Sequence, residues 1–169
     1  EYRYRGPIIN EHTLVIVVSQ SGETADTLAA LREAKRQGAK VLAITNVVGS
    51  SVAREADDVI ITWAGPEIAV ASTKAYTSQL VAFYLLGLYM AQVLGTVDTA
   101  YVREVVTAMK KLPEQVHQIL ARSESIKGIA ERIAKHDNLF FIGRGLDYAV
   151  VLEGSLKLKE ISYIHSEAY

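Results

Sequence analysis

Val15-Ile16-Val17-Val18-Ser19-Gln20-Ser21-Gly22-Glu23-Thr24 decides how the rest of the chain is read. Four β-branched apolar residues run into short polar side chains and a glycine. Thr24 to Gln37 then carries Leu28 and Leu31 on one side of an amphipathic helical pattern. The order is a buried strand, a tight turn and a helix start. In an open α/β sheet, ligands bind where the carboxyl end of a strand meets a helix N-terminus. The first helical N–H groups lack intrahelical partners and carry about half a positive charge, which suits an anion. Ser19, Ser21 and Thr24 add hydroxyls and Gln20 an amide, with no Lys or Arg inside the loop. Neutral donors would therefore hold any phosphate, at roughly 1.5–3 kcal/mol for each charge-assisted bond. A helix cap alone would need only one hydroxyl. The lysine and spacing of the nucleotide-binding P-loop are missing.

Working outward, the strand-helix alternation continues. Gly38 is the expected helix stop, Val41–Thr45 a second buried strand, and Val52–Ala56 a short helix after a turn-rich loop. Val59–Thr62 is then a third strand. This spacing predicts a flavodoxin-like parallel sheet with helices on both faces. Upstream, Glu1 to Arg5 alternates aromatic and charged residues, as in a strand exposed on one side, ended by Gly6-Pro7. Downstream, Val70-Ala71-Ser72-Thr73-Lys74 precedes Ala75 to Val97, a stretch without charge. Ser72 or Thr73 is placed to cap that helix. Its densely apolar part, Leu80–Ala91, is too short to span a bilayer and reads as a core or subunit-interface helix.

Thr99 to Lys135 is charged helical sequence broken by Pro113, with an apolar stripe through Val102, Val105, Val106, Met109 and Leu112. Leu139-Phe140-Phe141-Ile142 is a fresh strand ending in Gly143-Arg144-Gly145, with a helix beginning near Asp147. The opening motif is thus repeated more than a hundred residues on. Glu153, Lys157 and Glu160 share one face of that last helix. They read either as a solvated ion-pair ladder or as a carboxylate base beside an ammonium group, the arrangement that proton abstraction next to a carbonyl requires. His165 reads as a surface residue.

Composition bounds the alternatives. The 169 residues are half apolar, carry a net charge of −1 and include no cysteine. Near-neutral charge argues against nucleic acid as a partner, and disulfides, thiolate metal sites and cysteine nucleophiles are excluded. The four histidines show no metal-ligand spacing, and no cofactor is expected. No leader-like segment opens the sequence, so a cytoplasmic location is the default expectation.

Three separated motifs carry a resemblance: Ser19-Gln20-Ser21-Gly22-Glu23-Thr24-Ala25-Asp26-Thr27, Val70-Ala71-Ser72-Thr73-Lys74-Ala75, and Leu152-Glu153-Gly154-Ser155-Leu156-Lys157-Leu158-Lys159-Glu160-Ile161-Ser162-Tyr163-Ile164-His165. In order along nearly the whole chain, they resemble the isomerase half of the glutamine:fructose-6-phosphate aminotransferase family. That half is a tandem pair of sugar isomerase (SIS) domains. The resemblance implies that Ser19, Gln20, Ser21 and Thr24 hold the phosphate of fructose 6-phosphate or glucosamine 6-phosphate. It implies that Val70, Ala71 and Ser72 approach the sugar, that Glu160 moves a proton between C1 and C2, and that Lys157 is directed at the substrate. It also implies a homodimer and a glutaminase domain in the full-length chain.

On this reading residues 1–95 are a first SIS domain lacking its opening strand, 96–136 a helical connector, and 137–169 the truncated start of a second. The family's Cys-Gly-Thr-Ser segment, ring-opening histidine and imine-forming lysine have no counterpart among these residues. The expectation is a chain that binds a sugar phosphate weakly and does not turn over. The same features would also serve a non-catalytic phosphosugar sensor, or an oligomerisation module built on the apolar helix. The Lys157–Glu160 pair argues against the sensor, which needs no proton-transfer base.

Overall fold

A computed structural model describes residues 2–169. The chain divides into two compact units, the first running to Val106 and the second being Thr107–Tyr169.

In the first unit, β1 (Leu14–Ser19), β2 (Lys40–Thr45) and β3 (Asp58–Ile61) form a parallel sheet in the order β1-β2-β3. Ser19 pairs with Thr45 and Thr45 with Ile61, which aligns the carboxyl ends of all three strands along one edge. The central strand explains the sequence pattern: Val41 to Thr45 are all buried, so β2 reads as a continuous apolar run instead of an alternating one. α1 (Ala25–Arg36) and α2 (Ser51–Glu55) cover one face. Leu31, Ala34 and Val52 pack there with Val17, Val41 and Ala43 in the main core cluster. Strand alternation turns Leu42 and Ile44 to the opposite face. α3 (Lys74–Val93) also lies against β2 and buries Ala75 and Ala82.

Ion pairs brace the outside of this layer. Arg32 grips Glu55 through two nitrogens at 2.7 and 2.6 Å, and Lys35 reaches Asp57 at 3.0 Å. Asp57 also accepts from Val41 N at 2.8 Å. Its carboxyl is held below its ordinary range, by that backbone bond first and by Lys35 second.

The expected strand at the start is not formed. Tyr2–Tyr4 is a single 3-10 turn, and Glu1 lies outside the described residues. In a strand Tyr2 and Tyr4 would share one face, but here Tyr2 packs on the core cluster while Tyr4 is exposed. Burial of the Tyr2 ring therefore decides the local backbone, and five residues are too few for alternation to outweigh it. Its hydroxyl is buried without a partner, and desolvation followed by the charge of Glu33 raises its pKa.

α4 (Thr99–Met109) crosses the division between the units. The second unit continues with α5 (Leu112–Leu120), which has Pro113 in its first turn where no N–H is needed, and α6 (Ser123–Ile133). β4 (Asn138–Phe141), α7 (Leu146–Ser162) and β5 (His165–Ala168) then form a β-α-β unit with parallel strands, Asn138 opposite His165 and Phe141 opposite Ala168. Gly154 lets α7 sit close on β4, since a Cβ there would come within 3.2 Å of the Phe141 ring. The buried residues of this unit are Ser155 and Ser166. Their hydroxyls lie 2.9 Å apart, and Ser166 donates to the Ser155 carbonyl, which ties β5 to α7. Among the described residues no helix is long and apolar enough to cross a membrane.

Candidate functional site

The turn from β1 into α1 is fixed by bonds within itself and to the end of β2. Ser19 is only 6% exposed, yet its Oγ faces the loop, accepting from Gly22 N at 3.0 Å and lying 3.0 Å from Thr24 Oγ1. Ser21 Oγ accepts from Glu23 N at 3.2 Å. The Gln20 carbonyl takes Asn46 N at 3.2 Å, and the Gly22 carbonyl takes Val52 N at 2.9 Å. Gly22 has φ +68°, and a Cβ there would overlap the Ser50 side chain and stand 2.9 Å from Thr45 Oγ1. Only glycine fits both the backbone and the space.

The helix N-termini of this unit differ in one respect that bears on chemistry. α2 is capped by Ser50, whose Oγ accepts from Ala53 N at 3.4 Å. Beside it Glu23 accepts from Ser51 N at 2.8 Å, and its carboxyl is kept below the ordinary range by the Ser51 hydroxyl first and this backbone bond second. α1 has Thr24 at its cap position but no side-chain cap bond. Thr24 thus leaves the first-turn N–H groups of α1 without a cap acceptor, with Asp26 the one acidic residue in that turn, and uncapped helical N–H groups suit an anion.

α3 is closed in a way the local sequence does not announce. Neither Ser72 nor Thr73 caps it through a side chain, contrary to expectation. Glu67 does so from seven residues before the first helical residue. Its Oε2 accepts from Thr73 N at 3.1 Å and Ala75 N at 3.0 Å, and its Oε1 from Ala69 N and Thr73 Oγ1 at 3.3 Å each. The Ala75 bond is the main reason its carboxyl is held below the usual range. Between these anchors Val70 is fully exposed and Ser72 takes φ +58°, with its N–H on the Ala69 carbonyl at 3.0 Å. Asn46, at the end of β2, secures the same segment further back through Thr62, Ala64 and Gly65. Val70, Ala71 and Ser72 thus sit in a braced loop after β3, on the same strand-end edge as the Ser19 loop.

In the second unit, Lys157 Nζ lies 2.6 Å from Glu160 Oε2 and 3.4 Å from Glu153 Oε1. The one-face spacing in the sequence is therefore realised as one ammonium shared by two carboxylates. The Glu160 bond is the largest influence raising the Lys157 pKa, so the lysine is a cation. His165 is exposed at the start of β5, 3.9 Å from Glu167. Among the described residues no cluster could hold a metal ion. The contributions that sequence reasoning missed are the Glu67 clamp and the Ser155–Ser166 tie.

A parallel sheet whose strand ends carry a serine-rich turn into an open helix N-terminus defines a class, and the chain belongs to the SIS domain family, whose model matches residues 1–89. Over all 169 residues it is 63% identical to glutamine–fructose-6-phosphate aminotransferase [isomerizing] of Caldanaerobacter subterraneus subsp. tengcongensis and 62% identical to that of Clostridium tetani. It spans 28% of the length of each. The solved C-terminal domain of glucosamine-fructose-6-phosphate aminotransferase from Francisella tularensis is 42% identical over 99% of this chain and 48% of that one, with a TM-score of 0.94. The SIS fold and the family resemblance read from the three motifs are both borne out.

Proposed function

We propose that the chain is the sugar-phosphate isomerase region of an aminotransferase that makes glucosamine 6-phosphate from fructose 6-phosphate and glutamine-derived ammonia. The observation that carries this is the identity to such aminotransferases, sustained at 63% over every residue of the chain. The geometry agrees with it. Ser19, Gln20, Ser21 and Thr24 make the phosphate cradle, with Ser19 shaping it from beneath and the α1 N-terminus supplying N–H donors. Because Glu67 already fills the N-terminus of α3, a dianion is accepted at α1 and repelled at α3. The sugar then extends toward Val70, Ala71 and Ser72.

In the reaction, ammonia replaces the C2 carbonyl oxygen as an imine and water leaves. Glu160 takes a proton from C1 and returns it to C2, while the C1 hydroxyl proton passes to the imine nitrogen, leaving an aldehyde at C1 and an amine at C2. Lys157, 2.6 Å from Glu160, is directed at the substrate. The domain reading is a first SIS domain over 1–95, a connector over 96–136 and the opening of a second over 137–169. A glutaminase domain supplying ammonia, a cytoplasmic location and a homodimer complete it. The exposed apolar residues of α3, among them Phe83, Tyr84 and Tyr89, favour the homodimer.

The test is calorimetric titration of the chain with fructose 6-phosphate. Saturable binding that Ser21→Ala and Thr24→Ala each weaken supports the reading, and absence of binding rejects it. In the whole aminotransferase, Glu160→Gln is expected to keep sugar-phosphate affinity and abolish isomerisation.

A further inference from the structure

Glu67 lies in the braced loop and is absent from the roles assigned above to Val70, Ala71 and Ser72. Its two oxygens split the loop's donors into two sets. Oε2 holds the start of α3 through Thr73 N and Ala75 N, and Oε1 holds the approach to it through Ala69 N and Thr73 Oγ1. The three backbone N–H groups lie on both sides of residues 70–72, so one side chain closes the loop like a buckle. No Lys or Arg is hydrogen-bonded to this carboxylate among the described residues; its charge is met by backbone donors, the Thr73 hydroxyl, the positive end of α3 and, least, the charge of Lys74. Those contacts leave the main chain of Val70 to Ser72 little freedom, and Ser72 is kept at a backbone angle that a non-glycine residue adopts only when its surroundings impose it.

We infer that Glu67 is a positioning residue that holds the Val70–Ser72 backbone in the shape that receives the sugar end of the ligand, without touching the ligand itself. The inference rests on the functional reading that residues 70–72 face the sugar. It separates two parts of one binding event: the phosphate is held at α1, and the sugar is received by a loop whose form depends on a carboxylate elsewhere.

The experiment compares the chain with its Glu67→Gln and Glu67→Ala variants, titrating each with inorganic phosphate and with fructose 6-phosphate. The glutamine variant keeps one oxygen for Thr73 and Ala75 but presents an amide donor to Ala69, so it retains the helix cap and frees the loop. It therefore carries the test if the alanine variant does not fold. Phosphate affinity is expected to stay within about twofold in the variants. Fructose 6-phosphate affinity is expected to fall by about tenfold in Glu67→Ala and less in Glu67→Gln, a gap of ~1.4 kcal/mol for the tenfold case. Equal weakening of both ligands, or folded variants that bind the sugar phosphate as the parent does, overturns the inference alone. A parent chain that binds phosphate but gains nothing from the sugar overturns the inference and the functional reading together.

Discussion

α1 and α3 both start at the carboxyl edge of the same sheet, yet one start is open and the other is closed. α1 follows a short loop whose hydroxyls are turned on one another, and no side chain caps its first turn. α3 follows a longer connection in which Glu67 returns to occupy the helix N-terminus with an internal anion. A protein gains stability by satisfying both ends, since a cap contributes about 1 kcal/mol. Leaving one unsatisfied makes sense where a ligand supplies the missing acceptor. The proposed phosphate site accordingly falls at α1, with α3 as scaffold.

The contrast can be broken most severely at Gly22. Gly22→Ala forces a side chain into the Ser50 and Thr45 contacts at a positive φ. A cost of roughly 2–5 kcal/mol is expected from the backbone strain and overlap combined, together with loss of phosphate binding. Thermal or urea unfolding plus phosphate titration measures both.

Thr24→Ala sharpens the comparison at smaller cost. Because Thr24 does not cap α1, helix stability should change little, while phosphate binding weakens by about 1.5–3 kcal/mol as one charge-assisted bond is lost. Ser50→Ala should do the reverse, destabilising α2 by about 1 kcal/mol with its cap gone and leaving the phosphate donors in place. Chemical denaturation alongside calorimetry separates the two behaviours.

Acid gives the mildest test. The Glu67 pKa is depressed in the folded state by its backbone bonds. Its stabilising contribution is then complete above the unfolded carboxyl value, about 4.5, and is lost as pH falls through the lower folded value. Below about pH 4.5, amide exchange at Ala69, Thr73 and Ala75 should rise before that of the α1 turns. Glu33, held at about 2 by Arg36 first and Gln37 second, keeps its charge well below that point.

The first unit was legible because its signals are local and strong. Val15–Val18 and Val41–Thr45 are apolar runs of strand length, and Gly22 and Gly38 punctuate them. Ser19 and Ser21 were visible as polar residues after a strand. That Ser19 faces the loop from beneath, instead of outward, depends on where Gly22 N lies, which sequence does not display. Glu67 was missed because capping patterns are read within about three residues of a helix start, and this carboxylate comes from further back. β5 was missed for a different reason. His165-Ser166-Glu167-Ala168 has no apolar alternation, and its pairing with β4 and the Ser155–Ser166 hydroxyl contact define it. The one-face spacing of Glu153, Lys157 and Glu160 was legible because helix geometry alone fixes it.

Phosphate binding by this chain requires α1 to be the open helix end. Backbone amide shifts followed during titration of the chain with inorganic phosphate test that most directly. Saturable shifts centred on Gly22 to Asp26, displaced by fructose 6-phosphate, are the predicted result. Shifts centred on Lys74 to Tyr76, or none at the Ser19–Thr24 turn, would contradict it.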